Sequence, residues 1–492
     1  MRRALLLFVV VAFSACSGGP AATAPTPVTP VDTGPPTIKR EMRGLWIATV
    51  ANIDWPSRPT LSAAEQRAEL TELLDRAAAS GFNTVVFHVR PAADAVYQSS
   101  LEPWASMLTG TQGTDPGYDP LAFAVTEAHQ RGLEIHAWIN PFRAGNSKDS
   151  TKLAATHLFN TRRDLLRVYG SQLWLDPGEP AIHDHVMRVV SDIVQRYDID
   201  GVHADDYFYP YQENDAAGKL IDFPDSASYA KSGSTLARAD WRRANVDRFI
   251  ERMYREVHAI KPAVKVGISP FGIWRPGNPA SVAGLDAYAS IYADSRKWLQ
   301  QGWVDYLAPQ LYWAIAAPQQ SYPALFDWWI AQNAMSRHVW PGLAAYRVGD
   351  GTASAYSASE IPDQIGVTRA RSAGTGHILY NTSSTLRKSG GAVAASLSAL
   401  YATRALVPAS PWLDATPPPT PAVSVSARAV QMTPGAGEVP RWWVVRARGG
   451  GVWTTRVLFG DQRTATLVQT PDRVMLTAVD QAGNLSPAAS WP

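Results

Sequence analysis

Asp200-Gly-Val-His-Ala-Asp-Asp-Tyr-Phe-Tyr-Pro210 decides how the rest of the chain is read. Its short apolar parity, paired carboxylates, aromatic residues and closing proline describe a buried strand that opens into a loop. Val202 and Ala204 fall on one face and predict contact with a helix layer; His203, Asp205 and Tyr207 then face the other way, into a barrel or cleft. A carboxylate aimed inward at a strand end is costly unless it is hydrogen-bonded, paired or used.

Working outward, strand-like runs alternate with amphipathic helical stretches from Glu41 on, the pattern of a parallel α/β fold. Runs at Met42–Thr49, Asn83–Arg90, Leu133–Asn140, the opening stretch, Val264–Ser269, Val304–Gln310, Val339–Ala344 and Gly376–Asn381 give eight strands, and hence a TIM (β/α)8 barrel with long loop insertions. An open doubly wound sheet is the alternative, but no Gly-rich phosphate loop follows the first strand. Ser62-Ala-Ala-Glu65 has capping-box spacing ahead of a helix that stops at Gly81.

Parity gives the barrel its functional content. With Val85, Phe87 and Val89 against the helices, His88 and Arg90 face inward; with Ile135, Ala137 and Ile139 outward, His136 and Asn140 do so. Arg90, His136, Asn140, Asp205, Ser269 and Gln310 thus converge near strand ends, where barrel enzymes carry their sites. Tyr207, Tyr209, Trp274, Tyr312 and Trp313 lie just past predicted strands, and flat rings at a cleft mouth suit the apolar faces of sugars. Asp205 is expected to be the ionised carboxylate of a glycosidase pair, with Asp206 or Asp94 as its acid. If the sugar carries a 2-acetamido group, the substrate's own carbonyl can serve as nucleophile. No metal constellation and no cofactor motif is present.

The chain has 492 residues, 46% hydrophobic and 18% charged, with a net charge of +2. That is ordinary globular material of more than one domain, and its scattered Lys and Arg leave no nucleic-acid footprint. Arg2 and Arg3 precede an apolar run ending in Ser14-Ala15-Cys16, which reads as a secretory signal (1–16) too short to span a bilayer. Residues 17–37 read as a Gly/Pro/Ala/Thr tether, 38–408 as the barrel, 409–421 as a Pro-rich linker and 422–492 as a small β-sandwich.

Several motifs together resemble the bacterial glycosyl-hydrolase-like 10 family. They are Glu41-Met-Arg-Gly-Leu-Trp-Ile47, Arg90-Pro-Ala-Ala-Asp-Ala-Val-Tyr97, His136-Ala-Trp-Ile-Asn-Pro-Phe-Arg143, the opening stretch, Ser269-Pro-Phe-Gly-Ile-Trp274 and Ala308-Pro-Gln-Leu-Tyr-Trp313. The resemblance implies a barrel on an exported lipoprotein that hydrolyses peptidoglycan glycan strands stripped of their peptides, with Arg143 among the substrate-binding residues. A non-catalytic glycan-binding lipoprotein is the alternative. The lone Cys16 resembles a lipobox cysteine, implying a lipid anchor to the membrane and a cell-envelope location, the periplasmic face of the outer membrane in a Gram-negative host. The fourth strand also resembles that of family-18 chitinases, except that Tyr207 stands where they carry the acid Glu. The tail resembles a fibronectin type III-like domain, a candidate for contact with another envelope protein.

Overall fold

The computed structural model describes residues 34–492, Glu438 excepted, so the signal, Cys16 and most of the tether lie outside the described residues. Eight parallel strands form the barrel: β1 (Met42–Ile47), β2 (Thr84–Arg90), β3 (Glu134–Ile139), β4 (Gly201–Ala204), β5 (Lys265–Ile268), β6 (Tyr306–Leu307), β7 and β8 (Gly376–Tyr380). β7 is interrupted: His338–Val339 pairs with β6, Gly342–Ala344 pairs with β8, and Trp340 and Pro341 lie between. Pro341 has no N–H to give the ladder, so the strand breaks there. Backbone bonds bridge the gap, from Trp340 N to Leu307 O at 2.9 Å and from Ile378 N to Pro341 O at 3.0 Å. Because the two halves are one run of chain, the sheet closes on itself as a TIM-type barrel.

Side-chain parity sorts two cores. Val85, Phe87 and Val89 of β2 and Ile135, Ala137 and Ile139 of β3 pack outward against helices such as Ala63–Ala79 and Pro180–Arg196. Met42, Trp46, Val86, Trp138, Tyr306, Trp340 and Ile378 fill the interior. The first of those helices starts on the Ser62–Glu65 capping box, with both reciprocal bonds made. Below the cavity the interior turns polar. Lys265 pairs with Glu134 at 3.2 Å, and the Tyr306 hydroxyl lies 2.8 Å from His136 Nδ1 and 2.9 Å from His203 Nδ1. Gly267 makes room for that tyrosine, since a Cβ there would sit 1.9 Å from the Tyr306 ring.

The tail is a sandwich of two antiparallel sheets. One orders Ala422–Ser426, Ala429–Thr433 and Thr464–Thr466; the other orders Val452–Phe459, Trp442–Gly449, Arg473–Val479 and Ala489–Trp491. Their inner faces bury Val430, Met432, Trp443, Val445, Val474 and Leu476, as the core of a small β-sandwich requires. The sandwich meets the amino-terminal ends of the barrel strands. Arg441 Nη2 lies 2.6 Å from Asp200, just ahead of β4, while its Nη1 reaches Asp198 at 2.6 Å. Phe459 stacks on His129 at 4.8 Å. The segment read as a linker is docked as well: Trp412 Nε1 donates to Asp305 Oδ1 at 2.7 Å.

Candidate active site

At the opposite, carboxyl-terminal end of the barrel lies a cavity of about 170 Å³. Strands supply its floor: Trp46 from β1, His88 from β2, Trp138 from β3 and Tyr380 from β8, with Asn140, Asp205, Ser269 and Gln310 one to three residues past β3, β4, β5 and β6. Loops supply the wall through Val50, Arg143, Tyr207, Tyr312 and Tyr346. Tyr312, Tyr346 and Tyr380 pack ring to ring at about 6 Å, an aromatic wall on one side.

Asp205 is the only carboxyl among the described residues that line this cavity. Its Oδ1 accepts the Asp206 N–H at 2.9 Å and the Gln310 amide at 3.3 Å. Asp206, 2% exposed, accepts a close hydrogen bond from the Tyr211 hydroxyl. Burial pushes both carboxyls up; the Asp206 charge pushes Asp205 further, while the Tyr211 bond holds Asp206 back. Of the two, Asp205 on the cavity is the one raised further, so a shared proton favours it over Asp206 behind it. That direction runs against the ionised role expected for Asp205, because two carboxylates side by side in a dry site do not readily both keep their charge.

The cavity wall also carries unspent hydrogen-bonding capacity. Nδ1 and Nε2 of His88, Nε1 of Trp138, Oδ1 of Asn140 and Nε of Arg143 are all buried with no protein partner. Buried polar atoms are normally satisfied, and five such atoms around one cavity mark a surface built to meet a polar ligand. His88 stacks on Trp138 at 3.8 Å, and burial, then the Arg143 charge, lower its pKa well below the usual value, so it meets a ligand as a neutral ring. Arg143 is fixed by the short strand Arg143–Gly145, which pairs with Gln172–Leu175, and its guanidinium lies 4.0 Å over the Tyr207 ring.

Of the residues read from the sequence, Asn140, Arg143, Asp205, Tyr207, Gln310 and Tyr312 line the cavity, and Asp206 supports Asp205 from behind. Six are placed elsewhere. A bulge in β2 sets Arg90 opposite the outward-facing Ile139 and turns it out of the interior. There it holds Glu102 with bonds of 2.8 and 2.5 Å; burial pushes Glu102 up, but Arg90 and His185 outweigh it and keep its pKa down at about 2. Asp94 is spent on the Ala92 N–H and the Gln112 amide, both at 3.0 Å; burial pushes it up to about 6, away from the cavity wall. His136 faces inward as expected but one layer too deep, against Tyr306. Tyr209 packs on Phe223 and Tyr292. Trp274 stacks on Trp328 and donates to Asp294, which caps the helix Ser295–Gln301. Trp313 sets its edge against Phe271.

Trp46 and Tyr380 are additions to the residues read from the sequence, although strand parity puts both on the inward face at the carboxyl end. Tyr211 carries no sequence signal, since it reaches Asp206 through the bends at Asp206, Phe208 and Tyr209. Among the described residues no group of His, Cys, Asp and Glu side chains is arranged to hold a metal ion.

A closed parallel barrel with a sugar-sized, aromatic-walled cavity over its strand ends puts the protein in the glycoside hydrolase class of (β/α)8 folds. More narrowly, the chain belongs to the glycosyl hydrolase-like 10 family, whose model matches residues 41–357. It is similar to Glycosyl hydrolase YngK of Bacillus subtilis (strain 168), with 42% identity over 394 residues, 78% of this chain and 76% of that protein. It is also similar to Glycosyl hydrolase DigH of Escherichia coli (strain K12), with 36% identity over 375 residues, 71% of this chain and 84% of that one. Among solved structures, the PgaB (BpsB) glycoside hydrolase domain from Bordetella bronchiseptica overlays with a TM-score of 0.47 at 15% identity, covering 73% of this chain and 98% of that domain.

Proposed function

We propose that the protein hydrolyses peptidoglycan glycan strands from which the stem peptides have been removed, by a substrate-assisted mechanism with Asp205 as the proton donor. The observation that carries this reading is that Asp205 is the sole carboxyl on the described cavity wall, its neighbour Asp206 standing behind it and not across from it. Two-carboxylate glycosidases hold their acid and their nucleophile or base on opposite sides of the scissile bond, roughly 5 to 9 Å apart. With no carboxyl facing Asp205, the 2-acetamido group of the sugar supplies the nucleophile.

The steps balance within the cavity. The Asp205 proton passes to the glycosidic oxygen as the C1–O bond breaks, while the acetamido carbonyl oxygen bonds to C1 and forms an oxazolinium ion. Water then attacks C1, the ring reopens, and a proton returns to Asp205. Asp206, whose charged form the Tyr211 hydroxyl favours, biases the shared proton toward Asp205 before cleavage. The tyrosine wall offers a face for the sugar rings, and Asn140, His88 and Arg143 bond its substituents.

The family motifs support a cell-wall substrate, and Arg2 through Ser17 supports export and lipidation at Cys16. Incubation with peptide-stripped peptidoglycan, intact peptidoglycan and chitin, with soluble fragments analysed, tests the reading. Fragments from the stripped strands alone are expected. Release from none of the three, with retained binding, assigns the protein to the glycan binders instead.

A further inference from the structure

Arg143 presents a charge that no carboxylate among the described residues meets in a direct ion pair. It is 8% exposed, its Nε has no hydrogen-bond partner, and among the described residues no carboxylate lies within ion-pairing distance of it. Every other guanidinium that is as deeply buried and described here meets an acceptor: Arg43 meets Glu41, Arg90 meets Glu102, and Arg242 meets Asp225. Desolvating a guanidinium without an anion is costly, and a strand pairing together with the Tyr207 and Trp174 rings fixes this one on the cavity wall. Neither aspartate pairs with it: Asp205 Oδ1 takes the Asp206 N–H and the Gln310 amide, and Asp206 takes the Tyr211 hydroxyl.

We infer that Arg143 is a carboxylate reader: the cavity takes a 2-acetamido sugar bearing a free carboxylate, as the lactyl ether of a peptide-stripped muramoyl residue does, and rejects the same sugar when that group is an amide. This rests on the glycosidase reading above and adds a chemical reason for peptide removal to come first. An attached stem peptide turns the lactyl carboxylate into a neutral secondary amide, which cannot accept a bidentate pair from a guanidinium and places an N–H where an acceptor is required. The reaction that supplies this substrate must therefore be an amide hydrolysis at the lactyl carbonyl.

The test compares glycan strands with free lactyl carboxylates against the same strands converted to methylamides, cut by the wild type, Arg143→Gln and Arg143→Lys. The wild type is expected to favour the free acid by about ten- to a hundredfold in kcat/KM, the span of one charge-assisted interaction. Arg143→Gln should erase that preference by slowing the free-acid strand about ten- to a hundredfold more than the methylamide. Arg143→Lys should keep part of it, having the charge without the fork. Equal cutting of both strands by the wild type, or an equal slowing of both by Arg143→Gln, overturns the proposal; the second result would make Arg143 a support for the aspartate pair. Tryptophan fluorescence titration with N-acetylmuramic acid and its methyl ester reads the same preference without turnover. If no strand is cut, the glycosidase reading fails, and the titration alone decides: an Arg143-dependent preference for the acid upholds the reader, and equal affinities refute it.

Discussion

Asp206 gives its backbone N–H to Oδ1 of Asp205 at 2.9 Å, so neighbouring residues form a joined acid pair in which one member faces the cavity and the other faces Tyr211. The strand ends at Ala204, and a regular continuation would have thrown the two side chains to opposite faces. The bend at Asp206 breaks that alternation and turns the Asp206 N–H onto the Asp205 carboxyl. Charge repulsion over so short a span makes the proton on one the consequence of the charge on the other.

Tyr211→Phe removes the donor that holds Asp206 back from its raised value. Asp206 then ionises at higher pH, so the acid limb of the pH–rate profile should move upward and turnover at neutral pH should fall roughly tenfold, in keeping with the loss of a hydrogen bond to a charged group. An unshifted acid limb would detach Tyr211 from the mechanism.

The elevated Asp205 also predicts a stability effect. Its folded pKa lies above its unfolded value, so a penalty on the fold builds as pH rises through that interval and is full above the folded pKa. Asp205→Asn removes it. The expected gain in Tm at neutral pH is roughly 1–3 °C, in line with active-site residues that cost stability, and the gain should vanish below about pH 4, where the unfolded carboxyl is protonated too. A lower Tm at neutral pH would contradict the protonated assignment.

His88→Phe keeps a ring to stack on Trp138 while deleting both unsatisfied nitrogens. Steady-state kinetics should show KM raised by about threefold to thirtyfold with kcat nearly unchanged, if the ring only binds sugar substituents. A loss confined to kcat would give His88 a part in the chemical step.

At the other end of the barrel, Arg441→Met would leave Asp200 buried without its guanidinium. Burial raises Asp200, but Arg441 and then His129 outweigh it, so its carboxyl is held well below the usual range. The stability this contributes is full above the unfolded carboxylate pKa and fades as pH falls through the folded one. The variant should lose about 3–5 kcal/mol at neutral pH by denaturant titration and expose residues 409–421 to protease. Its activity at low temperature should stay near that of the wild type, since the cavity lies at the far end of the strands.

Much of this architecture was legible because periodicity carries it. The apolar alternation Val85, Phe87, Val89 placed His88 inward, and the Asp205–Asp206 pair stood at a strand end on parity alone. Arg90 misled because the bulge between His88 and Arg90 shifts the register, and no residue there announces it. Tyr209 and Trp274 sit on loops whose direction is set by distant packing, on Phe223 and Trp328. The docking of the sandwich was silent for a related reason: Arg441 and Asp200 are 241 residues apart, and only the closed barrel brings them together.

Turnover of peptide-stripped glycan strands by Asp205→Asn is the most direct test of the central claim. The account predicts a variant that folds, binds glycan through the aromatic wall, Arg143 and Asn140, and cleaves at least about a hundredfold more slowly than the wild type. Cleavage at the wild-type rate by a folded Asp205→Asn would contradict it.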